Sequence, residues 1–567
     1  MRIKLPKELK GVSFPRVTVL ELNDFDVDLL LPSFFYRVLG EGRGRAKRVN
    51  DATDIARYVR RLADHEAVEG FDDPRGHDLL DRLARTALIV TGGMGRGKQG
   101  EQILAVRPYS LLAHKTGLPS ESTRQRNVDR FLYECLRERC GGELALRRFV
   151  EQVFGRGVKI NPLPALGGRY DGVTPLDTLT RLSVAFLDGF SETPVGRELA
   201  RVRSEACPSL MNALGWDLQH YLFAYHERMP VQSLTYHLQG LINFELFVYT
   251  LKLVHAVNAL VRDPSVLPPA MQAQLAPSPP EVYVDFTADP GHLSQRMAAA
   301  CVRRDLEAYG QFATSVLKLR LLDRYAERLG KRSPLPEGME AVVEARERSA
   351  PEYLQALAQM AGDPRLAPYL DALAEMDEEA IRRANGQGAA DEDEEEETSR
   401  RDAIGALLPG HLAPLERVLI LLVQAQEGQA LTGFGKWFHS TGGLSKSHGL
   451  LAGTLKGRRA WRYQPSNDLL AIWVQLAALQ PTADEAASAG PRPVPLREFL
   501  AYLERRFGIL VDRPPAPFAG AEAVAAARDN LRAMLRRLRQ MGVFRDLSDD
   551  FTVQALQPPY AAEEVPV

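Results

Sequence analysis

The sequence predicts a mainly α, multidomain protein: a helical-bundle core with winged-helix-like modules, each a helix–helix–β-hairpin, at its N- and C-terminal ends. Three observations predict it. Long apolar segments recur at helical spacing through the middle of the chain, helix–helix–hairpin signals appear near both ends, and 567 residues exceed what one hydrophobic core keeps absorbing. An apolar fraction of 45% with 25% charged residues is ordinary for a folded soluble chain. A net charge of -2 supplies no global pull toward nucleic acid or membrane, so any such attraction has to come from local segregation of charge.

The N-terminal module is expected over residues 1–118. "DVDLLLPSFFYRVLG" has helical spacing, and the glycines and cations of "GEGRGRAKR" break it. Behind capping-type residues, Ile55, Tyr58, Val59 and Leu62 share one face, and the helical period repeats after Pro74. The stretch "TALIVTGGMGRGKQGEQILAV" then admits two structures. Gly92, Gly97 and Lys98 fit the G-x-x-x-x-G-K frame of a phosphate-binding loop. Such a loop needs a Ser or Thr after the lysine to hold magnesium, and a helix launched toward the phosphates. Gln99 and the β-type run "QILAVRP" stand there instead. The same residues form a hairpin whose tip carries Arg96 and Lys98, a basic wing suited to a phosphate backbone.

Residues 119–385 are expected as a helical domain, built of segments such as "PSLMNALGWDLQHYLFAYHERM" and "AAACVRRDLEAYGQFATSVLKLRLLDRYAERL". The most membrane-like run, Leu241–Val261, is interrupted by Glu245, Lys252 and His255 and reads as a buried helix of a bundle. "EVYVDFT" is an isolated strand. Asp285 at its end, with Asp289 and His292 beyond, fits either a metal set or, as we favour, a strand end followed by a helix cap. His220, His226 and His237 do not share a helix face, and no H-E-x-x-H frame is present. With four irregularly spaced cysteines and no apolar signal core, a reduced, cytoplasmic protein without metal or cofactor is expected.

Residues 386–401, with the carboxylates of Asp391–Glu397, read as an acidic linker before a second helical domain at 402–480. That domain holds the strongest ligand surface in the sequence, "SKSHGLLAGTLKGRRAWRYQPSND". Lys446, Lys456, Arg458, Arg459 and Arg462, together with His448, are suited to phosphates, and Trp461 and Tyr463 to stacking. The alternative is that both aromatics pack the following helix and the arginines are solvated or paired with the acidic tract. A linker at 481–495 leads to the C-terminal module, 496–567. There an Arg-rich helix with Arg536 and Arg537 precedes "FRDLSDDFTVQAL", which alternates about a Ser-Asp-Asp turn.

No nucleophile elbow or kinase-like set occurs, so catalysis has no positive support. The segments "RPYSLLAHKTGLP", "GRRAWRYQPSNDLLAIWVQLA" and "REFLAYLERRFGILVDRPP" resemble an accessory component of bacterial multigene anti-phage defence, most nearly the methylation-associated type. The resemblance implies a cytoplasmic subunit working with a separately encoded methyltransferase, nuclease or ATPase, and supplies no functional residue. The expectation is therefore a non-catalytic subunit that binds DNA, partner proteins or both, and not a membrane. The alternatives are a degenerate P-loop NTPase built on Gly92 to Lys98 and a pure scaffold using the acidic tract.

Overall fold

The computed structural model describes residues 3–44, 54–93, 100–116, 125–163, 166–192, 195–196, 205–386, 411–480, 490–544 and 554–561. Within them the chain is mainly helical with short strands. Helices α1 (Leu30–Leu39), α2 (Ile55–Ala63) and α3 (Pro74–Leu83) precede the strands β1 (Ile89–Gly93) and β2 (Glu101–Val106). The strands pair antiparallel from Ile89 opposite Val106 to Gly93 opposite Glu101, with a bulge after Val90. The expected hairpin is therefore present, and a strand follows where a phosphate loop needs a helix. Its tip, with Arg96 and Lys98, lies outside the described residues.

Next come α4 (Val128–Cys140), α5 (Glu143–Phe154), the hairpin of β3 (Val158–Ile160) and β4 (Gly168–Tyr170), and α6 (Thr178–Asp188). The centre is α7 (Pro208–Tyr225) and α8 (Val231–Arg262), packed on each other. By length and composition α8 could cross a membrane, but 83% of its apolar window is buried inside the protein. It therefore spends its apolar surface on neighbouring helices, which explains why it is hydrophobic all round. Those neighbours include α9 (Leu293–Leu329), which follows the two-residue strand β5 (Val282–Tyr283).

Beyond α10 (Met339–Arg348), α11 (Ala350–Met360) and α12 (Ala367–Gly386), the acidic tract Asp391–Glu397 lies outside the described residues. Helix α13 (Pro414–Thr441) packs on α9 and α12. It runs from its apolar first half, "PLERVLILLVQAQ", on through glycines that other parts of the chain approach closely. A Cβ on Gly433 would lie 2.9 Å from the Leu22 carbonyl, and one on Gly435 would lie 3.1 Å from the Arg458 guanidinium. The close approach of those two groups, rather than helix propensity, accounts for the glycines.

The remaining elements are β6 (Leu451–Ala452), β7 (Arg462–Tyr463), α14 (Asn467–Ala477), β8 (Val494–Pro495), α15 (Leu496–Phe507), β9 (Ile509–Leu510), α16 (Ala521–Gln540) and β10 (Ala555–Leu556). Val494 and Pro495, in the stretch read as a hinge, form the strand that pairs antiparallel with β10, and Phe544 bridges to Leu556. The Ser-Asp-Asp turn lies outside the described residues. The isolated strand β5 finds its partner in β9, in parallel register. Asn530 of α16 fastens this junction: its amide donates to the carbonyls of Val284 (2.8 Å) and Val511 (3.0 Å) and its oxygen accepts the Phe286 N–H (2.6 Å). One contiguous hydrophobic cluster runs from Leu5 to Leu556.

Buried charge crosses this core. Arg506 of α15 reaches Asp217 of α7 at 2.6 Å and Glu245 of α8 at 3.1 Å, with the two carboxylate side chains each 2% exposed. Lys252 donates to the Arg506 carbonyl at 3.2 Å, and burial, with the Arg506 charge, lowers its pKa to about 8. Arg506→Ala leaves two buried carboxylates without this cation, and a loss of about 3–5 kcal/mol in unfolding free energy is expected in denaturant titrations.

Glu205 provides a second buried anchor. Its carboxyl accepts the Val19 N–H (3.1 Å) and the Tyr249 hydroxyl (2.9 Å), and burial raises its pKa from 4.5 to about 7. The folded chain thus holds this proton more tightly than the unfolded chain. The resulting stability is complete below the unfolded value and is lost as pH rises toward the folded value. Unfolding free energy should fall by up to about 3 kcal/mol across that window. The fall should be absent in Glu205→Gln when denaturant midpoints are compared across the same pH range.

Candidate nucleic-acid interface

The site grows from a closed loop, residues 453–461, between β6 and β7. The strands pair Leu451 with Tyr463 and Ala452 with Arg462. Gly453 takes φ +141°, and a Cβ there would lie 2.6 Å from Trp461 Cδ1, so both conformation and space call for glycine. Trp461 is 1% exposed. Its indole N–H donates to the Thr454 carbonyl at 2.8 Å, tying the end of the loop to its start. The ring stacks with Phe438 of α13, centroids 6.2 Å apart. Tyr463 is fully buried and donates its hydroxyl to Asp305 of α9 at 2.7 Å. The aromatics therefore fasten the loop to the helices, and burial leaves the Trp461 ring no open face on which a base could stack.

The cations point the other way. Lys456, Arg458 and Arg459 are exposed, and half-buried Arg462 donates Nε–H to the Gln464 side chain at 2.8 Å. The Arg458 guanidinium lies 5.9 Å from the Trp461 ring centroid. Lys436 of α13 is exposed beside them. Burial, and next the Arg458 charge, hold the His439 imidazole below its ordinary pKa, with the Asp24 charge acting in the opposite direction. Among the described residues, none of Lys436, Lys456, Arg458, Arg459 and Arg462 forms an ion pair. A cluster of cations without ion pairs suits a polyanion.

The other cations read from the sequence do not join it. Lys446 Nζ lies 2.9 Å from Asp28 and 3.8 Å from Asp26, so it staples the loop before β6 to the N-terminal region. His448 is buried, its Nε2 3.3 Å from the Asn243 amide. Arg537 donates to the Pro465 carbonyl at 2.8 Å and covers the Phe286 ring; burial lowers its pKa. Arg536 is exposed on the outer face of α16, where Arg532 pairs with Asp529 at 2.8 Å.

Asp285 is an internal cap rather than a ligand: it is fully buried and accepts from Ser294 Oγ (2.6 Å), Thr287 and Ala288. Asp289 and His292 accept backbone N–H groups of Gly291 and Ser294, completing the turn and helix cap. Among the described residues no group of three or more His, Cys, Asp or Glu is placed to hold a metal ion. Lys436 and His439 were outside the sequence-predicted site; the signal was their flanking of Trp437 in "KWFH", a short stretch of helix that faces the loop only after folding. A larger cavity, about 1140 Å³, lies between residues 3–23 and helices α9 and α13. Its central amide, Gln426, is already hydrogen-bonded to the Leu9 carbonyl and the Gly11 N–H.

The division of labour within the loop is measurable. Trp461→Ala should cost about 3–5 kcal/mol of unfolding free energy. Arg459→Ala should leave the unfolding curve of the protein superimposable on that of the wild type.

In comparison with known proteins, no curated protein and no solved structure matches the chain. Residues 7–560 match the family described as Methylation-associated defense system protein MAD7, and over that span the chain belongs to this family, a component of methylation-associated defence.

Proposed function

We propose that this protein is a non-catalytic DNA-binding subunit of its methylation-associated defence system, holding DNA through the loop 453–462 and contacting other subunits through its ends. The observation that carries this reading is the cluster Lys436, Lys456, Arg458, Arg459 and Arg462, which has no carboxylate partner among the described residues. Cations facing solvent attract phosphates without first having to break internal ion pairs. Partners within the system, such as a methyltransferase, nuclease or ATPase, would supply the chemistry. Four free cysteines, three of them buried, support a cytoplasmic setting.

The ends support winged-helix-like modules. At the C-terminus the order is strand β8, helix α15, strand β9, which pairs with β5, helix α16, then the Phe544–Leu556 bridge and β10 returning to β8. At the N-terminus α2 and α3 precede the β1–β2 hairpin. Exposed Arg536 lies on the helix that would serve as the recognition helix. The NTPase alternative loses its geometric support, since β2 runs antiparallel to β1 where a helix is required.

The test is a salt titration of binding to a labelled duplex by wild type and by the triple variant Arg458→Ala/Arg459→Ala/Arg462→Ala. The wild-type affinity should fall steeply with salt. In the variant the slope of log K against log salt should become shallower by about 0.9 for each phosphate that the protein no longer neutralises. Absence of binding at low salt, with assembly with partner subunits intact, would leave the scaffold reading in its place.

A further inference from the structure

A second concave site lies between α8, α9 and the Pro-rich segment before β5. The cavity is about 430 Å³, within the range of small-molecule sites, and His255, Arg262, Arg304, Glu307 and Gln311 line it. His255 Nε2 is 3.0 Å from Asp305 Oδ1. Asp305 is fully buried; its Oδ1 also accepts Arg304 Nε–H at 2.8 Å, and its Oδ2 accepts the Tyr463 hydroxyl at 2.7 Å. A carboxylate that only accepts places the proton on Nε2 and turns Nδ1 toward the remaining space. In His220 and His226 the Nδ1 atom is bonded to the carbonyl four residues earlier. The Nδ1 of His255 has no partner among the described residues.

We propose that this cavity binds a mononucleotide-sized phosphate ester, the Nδ1 of His255 turned to the ligand while Nε2–H stays on Asp305. Arg262 and Arg304 supply the cationic wall. Arg304 is held in place by Asp305 and by the Glu281 carbonyl, which accepts its Nη2 at 2.8 Å. Glu307 on the same wall repels a bare anion and accepts from a hydroxyl or amino group, which selects a phosphate ester carrying donors over inorganic phosphate. The groups facing His255 are thus Asp305, Arg304 and Glu307 of α9, Arg262 of α8 and Tyr463 of β7; the Glu281 carboxylate is paired with Arg513 at 2.9 Å.

The experiment is isothermal titration of the full chain with adenosine monophosphate, inorganic phosphate and a short duplex, repeated for His255→Gln and for Arg262→Ala, an exposed position whose change spares the core. The nucleotide is expected to bind more tightly than inorganic phosphate, and to lose about tenfold or more in affinity in both variants. No nucleotide binding, or binding unchanged in Arg262→Ala, overturns the proposal. Equal affinity for inorganic phosphate overturns the nucleotide-sized assignment. Loss of duplex binding in the same two variants overturns the separation of this site from the DNA-binding loop.

Discussion

Arg506 between Asp217 and Glu245 is the interaction on which the arrangement of the helices depends. Two carboxylates on adjacent helices α7 and α8 are removed from water, and the cation that reaches both comes from α15. Attraction at such distances in a low-dielectric interior is offset by desolvation, so the triad adds little net stability over an apolar packing. What it adds is position: α15 can sit in one place only. The neighbours of α15 inherit that place. Strand β9 follows it directly and lies against β5, Asn530 ties α16 beneath both, and Arg537 of α16 holds Pro465 just past the basic loop.

The loop itself separates two roles that the sequence runs together. Trp461 and Tyr463 alternate with Arg462 along a short strand, so the aromatics face the helices and the cation the other side. Attachment through Trp461 to Thr454 and through Tyr463 to Asp305 fixes the loop backbone that carries the cations, so the backbone needs little further ordering when a polyanion arrives. Tyr463 also makes Asp305 a shared acceptor, with the loop on one oxygen and His255 on the other.

Much of the helical framework was legible in the sequence, because segments such as "IARYVRRLA" and "NDLLAIWVQLA" carry their periodicity and their caps locally. The β1–β2 hairpin was legible for the same reason, and the absence of room for a helix after Lys98 distinguished it from a phosphate loop. Features made by distant residues were not legible. Nothing near "EVYVDFT" announces a parallel partner at Ile509, and nothing near Glu245 announces Arg506. Within the candidate site the cations were readable as a cluster, whereas the inward turn of Trp461 and the diversion of Lys446 to Asp28 depend on tertiary neighbours. His255 read only as a break in an apolar helix, since its meaning lies in Asp305, fifty residues on.

The pairing of β5 with β9 has a consequence for how the protein is made. Val282 and Ile509 are 227 residues apart, the difference of their positions. At ordinary elongation rates of about 5–20 residues per second, the ribosome works for roughly 10–45 seconds between the two. Throughout that interval Val282–Tyr283 is an unpaired strand edge flanked by apolar helices, the kind of surface that recruits other nascent chains. The edge of β5 is therefore covered only once the segment carrying Ile509 and Leu510 has left the ribosome.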